Sequence, residues 1–138
     1  MVNETTLVFE TESPIPFTCL DGTGIEKGAI LKVTDLMTCE LADGDGDKIA
    51  GIAAEEKIAS DGKTKIGVYR AGIFKGLAGT GGVTVGLAID TDASTSDSNE
   101  LANAPVTTGN YVGISFETAS SAESFLFELR PHHQSANS

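Results

Sequence analysis

Residues 83–89 read VTVGLAI, and the spacing of their side chains decides the fold class. Val83, Val85, Leu87 and Ile89 fall on one side of an extended chain, with Thr84, Gly86 and Ala88 on the other. Alternation of period two marks a half-buried β-strand, whereas a helix repeats its apolar positions every three or four residues. The same period returns at Val112, Ile114 and Phe116, and at Phe125, Phe127 and Leu129. Shorter versions occur at Ala29, Leu31 and Val33, around Ile49 and Ile52, and at Ile66 and Val68.

Turn-forming clusters separate these runs: Asp21-Gly22, DGDG at 43–46, Asp61-Gly62, GTGG at 79–82, and the acidic stretch 90–99. Glycine supplies positive φ at little cost and Asp or Asn bonds its own backbone, so such clusters reverse the chain. Sixteen glycines in a chain of this size fit many tight reversals better than helices. The best helical candidate, AAEEKIA at 53–59, is barely two turns and would need tertiary support. The expected fold is therefore all-β or β-dominant: a compact small barrel or sandwich with an extended N-terminal arm and at most one or two short helices.

The ends differ from the middle. Residues 1–18 carry an isolated apolar strip, Leu7, Val8 and Phe9, followed by Pro14 and Pro16. Proline cannot donate to a sheet ladder, so this stretch reads as an extended arm or an edge strand. Its candidate contact residues are Leu7, Val8, Phe9, Glu10, Ile15 and Phe17; the plainer alternative packs Leu7 and Phe9 on the domain's own core. Residues 19–130 form one β-rich domain, and 131–138, PHHQSANS, read as a flexible tail.

A chain of 138 residues is one domain of ordinary size, and 40% hydrophobic content suits a packed core. No apolar run approaches the roughly 20 residues that cross a bilayer, and the N-terminus lacks the basic start and apolar stretch of a signal peptide. The expectation is a soluble protein that stays in the cell that makes it. Twenty acidic residues against nine basic ones give a net charge of −11, which repels phosphate backbones and anionic lipid, so neither nucleic acid nor membrane is an expected partner. The bases gather at Lys57, Lys63, Lys65, Arg70 and Lys75. Of these, Lys63, Lys65, Arg70 and Lys75 form a candidate patch for an acidic partner, against the plainer reading of a solvated strand face. Cys19 and Cys39 make no C-x-x-C pair and read as buried free thiols, with a disulfide as the alternative.

Reactive constellations fail on inspection. Asp43, Asp45 and Asp47 open like a calcium loop, but Lys48 stands at its sixth position and Ala54 at its twelfth, where glycine and a bidentate acid belong. Asp90, Asp92 and Asp97 read as a similar solvated loop. The glycines at 76–82 lack a following Gly-Lys-Ser/Thr, and Thr84 occupies the third-glycine position of a dinucleotide fingerprint. GISFE at 113–117 begins like a nucleophile elbow, but Glu117 replaces the second glycine and Ser115 falls on the polar side of a strand. His132 and His133 are the only histidines, so any Ser-His or Cys-His mechanism would have to recruit the tail. No catalytic residue, metal or cofactor is expected.

Residues 28–75, GAILKVTDLMTCELADGDGDKIAGIAAEEKIASDGKTKIGVYRAGIFK, resemble the head decoration (cement) proteins of tailed phages, the lambda type and its relatives. In those proteins a short strand and an Asp/Gly turn precede a V-G-I-A-A stretch, matched here by IAGIAA at 49–54. A polar loop follows, here 61–64, and then a strand ending in an aromatic, a base, a small residue, glycine and an aromatic, here YRAGIF at 69–74. YVGISFETASSAESFLFELRP at 111–131 is similar to the closing segment of a related capsid-cement group. Residues 76–110 are an addition to the lambda-type pattern. The resemblance implies a structural protein, not an enzyme. It implies a homotrimer on the outside of the expanded head, bound to the major capsid protein at three-fold and quasi-three-fold positions and resisting internal DNA pressure. It also implies an N-terminal arm that orders on the shell, and a virion location after synthesis in the host cytoplasm. The alternatives are another phage part, such as a tail tube or baseplate, or a small trimeric β-fold nucleotide hydrolase.

Overall fold

A computed structural model describes residues 4–42, 47–92, 99–104 and 110–132, and in these the chain forms β-strands and turns without a helix. Five strands close into a barrel: β2 (Ile15–Thr18), β3 (Ile30–Asp35), β4 (Thr38–Leu41), β5 (Ile49–Ala53) and β6 (Lys65–Tyr69), in the order β2-β4-β3-β5-β6. The rest form a six-stranded sheet. Its members are β1 (Thr6–Phe9), β7 (Gly72–Leu77), β8 (Ala88–Thr91), β9 (Leu101–Asn103), β10 (Tyr111–Ser115) and β11 (Ser124–His132), ordered β1-β7-β11-β10-β8-β9. Every strand pair is antiparallel except β2 with β4.

The two layers share a wall. On β3, Leu31 points into the barrel among Phe17, Ile66 and Val68, while its neighbour Ile30 joins the core beneath the sheet. On β5, Ala50 and Ala53 face the barrel, and Ile49 and Ile52 face the sheet. A strand buried on both sides reads as a continuous apolar run, which IAGIA is, and the register shift beside Gly51 breaks strict alternation so that residues three apart share a face. The sheet contributes Phe74, Phe125, Phe127, Leu129, Ile89 and Leu101 to the shared core. Phe127 stacks on Phe74 with ring centroids 6.1 Å apart and lies tilted against Phe125 at 5.6 Å. Burying one such aromatic contributes about 1.5–3 kcal/mol. Gly51 is required where β5 crosses β6: its φ is +149°, and a Cβ there would lie 1.9 Å from the Tyr69 carbonyl oxygen.

The alternation at 125–129 is realised, with Phe125, Phe127 and Leu129 all buried. At 83–89 it is not. Val83 makes an isolated bridge to Ala119, Gly86 turns the chain at φ +82°, and Val85 and Leu87 are exposed, so β8 begins only at Ala88. The helical reading of 53–59 is also corrected. Ala53 ends β5, and Lys57 bridges Ile25 with reciprocal backbone bonds of 2.8 and 2.6 Å, which hold the segment extended.

The N-terminal segment, read as an extended arm or an edge strand, supplies edge strand β1 of the sheet and strand β2 of the barrel. Leu7 pairs with Phe74 and packs against the shared core, and Phe17 lies inside the barrel. Pro14 precedes β2, and Pro16 lies within it beside Gly67. Of the tail, Pro131 and His132 extend β11, with His132 paired to Tyr111; 133–138 lie outside the described residues.

Candidate functional site

The polar groups picked out as reactive are engaged in holding turns. Asp92 is buried, and its Oδ2 accepts the Thr80 amide at 3.0 Å, fixing the glycine-rich turn to the end of β8. Asp90 Oδ1 accepts the Thr91 amide at 2.8 Å. Asp97 and residues 43–46, including Asp43 and Asp45, lie outside the described residues, while Asp47 is half-buried. Ser115 was expected on a polar face; instead it is buried, because its register partner Phe127 points into the core. Its hydroxyl donates to the Glu117 carbonyl at 2.5 Å. Among the described residues no group of three His, Cys, Asp or Glu side chains is placed to hold a metal ion.

The basic residues are spread over both layers. Lys63 pairs with Glu55, and that contact together with the Gly67 amide holds the Glu55 carboxyl below its ordinary value. Arg70 donates to the Ala50 carbonyl at 2.8 Å and to that of Ile49 at 3.4 Å. Lys65 and Lys75 are exposed but stand on different layers, one on β6 and the other on β7.

Lys57, counted with those bases in the sequence, is fully buried. Its ammonium donates to Asp21 Oδ1 and the Asp21 carbonyl at 2.9 Å, and to Asp61 Oδ1 and the Ile58 carbonyl at 2.7 Å. The Lys57 hydrogen bond draws both aspartates below their ordinary value, helped by the Gly62 amide on Asp21 and the Lys63 amide on Asp61. Burial disfavours the charge on Lys57, but the bonds to Asp61 and Asp21 outweigh it and the pKa is raised. This ion triad ties two loops together at one end of the barrel. The one local hint of it was Asp61 four residues after Lys57; Asp21 is too distant in sequence to read as a partner.

The outer face of the six-stranded sheet has a different character. Register pairs place Phe9, Ile73, Glu128, Ile114 and Ala88 in one row across β1, β7, β11, β10 and β8. The next row holds Thr6, Lys75 and Leu126, and the Phe116 amide bonds the Leu126 carbonyl at 2.9 Å. Phe9 is 65% exposed and Phe116 47%, while Ile73, Ile114 and Leu126 are half-buried. Val85 and Leu87, also exposed, continue the strip through the turn bonded to Ser115. The face is thus mixed, with exposed aromatic and aliphatic side chains set around Glu128 and Lys75, the composition of an interface more than of a plain solvated sheet. Of the six arm candidates, Val8, Phe9, Glu10 and Ile15 are exposed, Leu7 is half-buried and Phe17 is buried. A second apolar feature is the β3–β4 hairpin tip, where Leu36 is 86% exposed and Met37 adopts φ +47°.

Comparison with known proteins sets this scaffold in context. The family model described as phage cement protein matches residues 9–130. No curated protein matches the chain. Among solved structures, the crystal structure of the head fiber gp8.5 N base in bacteriophage phi29 superposes with a TM-score of 0.53 at 12% sequence identity. That match covers 88% of this chain and 98% of the other, and at this identity it speaks to the fold.

Proposed function

The chain belongs to the phage cement protein family, with a structural, capsid-associated role, and on that premise we propose that it binds the outside of the expanded head and stabilises it against internal DNA pressure. It sits as a homotrimer at three-fold and quasi-three-fold positions, and its partner is the major capsid protein. The observation that carries the reading is the set of exposed and half-buried apolar side chains on the outer face of the six-stranded sheet, Phe9, Ile73, Ile114, Leu126 and Phe116, around Glu128 and Lys75. Aromatic anchors on a rigid sheet lose little entropy on docking, which is how interface hot spots work. Val8, Phe9 and Glu10 of the N-terminal segment join this contact, and β1, at the sheet edge, leaves a strand side open to augmentation. Three copies in one trimer combine modest contacts through effective concentration. A surface at −11 suits an outer position, away from packaged DNA.

Co-sedimentation with expanded heads lacking decoration tests this. The protein is expected to saturate at a fixed ratio per capsomer and to raise the temperature at which heads disrupt. Absence of binding to expanded heads, or equal binding to unexpanded ones, overturns the reading.

A further inference from the structure

Cys19 and Cys39 are both free and buried, and both belong to the core inside the barrel. They are 20 positions apart in sequence, and only the barrel's closure brings them together. β2 and β4 run parallel and share one register pair, Thr18 with Thr38; Cys39 comes next on β4, and Cys19 directly follows the last residue of β2. The other barrel contacts of these strands are longer ladders, with four register pairs for β2 with β6 and four for β3 with β4. Parallel neighbours stand about 4.8 Å apart at the backbone, so the residues that follow the Thr18–Thr38 pair set out from that separation, and both cysteines turn into the barrel core. That separation falls within the roughly 4.4–6.8 Å between Cα atoms that a disulfide spans. Burial, and next the Cys19 sulfur, push the Cys39 thiol up to about 11.

We propose that Cys19 and Cys39 are an intramolecular cross-linking site whose disulfide staples the one parallel seam of the barrel. The oxidant is a small-molecule disulfide such as oxidised glutathione. The thiolate of one cysteine attacks it, forming a mixed disulfide and releasing one glutathione thiol. The thiolate of the other then attacks the protein-bound sulfur and releases the second. Two S–H bonds are lost and one S–S bond forms; the two protons and two electrons leave on the two glutathione thiols. Burial keeps both thiols protonated at neutral pH, so exchange proceeds during folding or when the short seam opens. Once formed, the bond fixes β2, the strand joined through residues 10–14 to β1 and Phe9.

The test uses the full chain, refolded from urea in a glutathione redox buffer and, in parallel, held folded with oxidised glutathione at about pH 9. Free thiols are alkylated, and intact mass and a non-reducing peptide map are recorded. The expected refolded product is a single chain about 2 Da lighter, unalkylated, with one peptide joining the two cysteines. Closing a loop of about 20 residues should raise its melting temperature by roughly 10 °C over the reduced chain. Cys39→Ala should keep one alkylatable thiol and show no oxidation-dependent shift. A refolded chain with two alkylatable thiols, with glutathione on each, or linked to another chain overturns the proposal. So does a cross-linked chain that melts no higher than the reduced one. The folded arm reads seam opening: cross-linking should be slower there than on refolding, and an equal rate would contradict thiols sealed by a closed seam.

Discussion

Replacing Phe9 with Ser probes the outer sheet face directly. Full burial of a phenylalanine removes about 200 Å² from water, so a side chain 65% exposed has about 130 Å² still to bury. At about 25 cal/mol per Å² that is about 3 kcal/mol. Docking covers part of this area and costs ordering, so half the figure, about 1.5 kcal/mol, is the expected loss per copy, or roughly tenfold in affinity. Phe116, 47% exposed, supports a similar estimate of about 1 kcal/mol. The assay is co-sedimentation with expanded heads across a protein titration, at moderate salt so that charge steering does not mask the change. Phe9→Ser should shift half-saturation upward by about tenfold, and by more if three linked copies act together. Melting should move little, because exposed substitutions usually stay within about 0.5 kcal/mol. Leu36→Ser, at the hairpin tip, is the matched control: as exposed and apolar, but on the barrel. If Leu36→Ser abolishes binding while Phe9→Ser leaves it intact, the docking face has been misassigned.

Other expectations concern stability. Asp21 and Asp61 have depressed pKa values, so their contribution is present above the ordinary value of 3.8 and is lost as pH falls through the folded values below it. Lys57, raised above 10.5, contributes below that value and loses its contribution as pH climbs through the higher folded one. Thermal melts from pH 2 to 7 should show the acid loss, and Lys57→Met should flatten it; an unchanged profile would remove the triad from the account. Phe127→Ala opens a cavity between Phe74 and Phe125 and should cost about 3–5 kcal/mol by urea unfolding, against under about 1 kcal/mol if the core collapses around it. Deleting residues 1–18 removes β2 and should prevent the barrel from closing, whereas deleting 1–9 removes only β1 and should leave a cooperative melt with weakened head binding. Circular dichroism separates the two.

The strands at 29–33, 49–53 and 125–129 were legible because their alternating or continuous apolar runs are buried in the two cores, and at 125–129 the run also meets an unbroken ladder with β7. The reading of 83–89 failed because period two describes any extended chain, and a single residue, Gly86, turns it before the ladder begins. The N-terminal segment was legible only as an extended arm or an edge strand, and its partners were not. Pro14 and Pro16 argue locally against a sheet, but the partners of β1 are Lys75, Phe74 and Ile73, far along the chain, and no local pattern encodes such a pairing. The same distance hid the Lys57–Asp21 contact. The outer face was half legible: Ile114 and Phe116 were seen as a strand face, but which strands flank them comes from the sheet order alone.

The path of β1 has a consequence for synthesis. The ribosome delivers the N-terminus first, and the barrel strands, ending at Tyr69, can assemble as soon as they emerge. Thr6–Phe9 then has no partner until Gly72–Leu77 follows, and the sheet it borders is finished only by the last strand to appear, Ser124–His132. Such high contact order slows the final step to the millisecond-to-second range and leaves Leu7, the β1 side chain that packs on the shared core, uncovered in the nascent chain meanwhile. The sheet, unlike the barrel, is incomplete until Ser124–His132 is made, so a chain truncated before that strand yields a barrel without its cover.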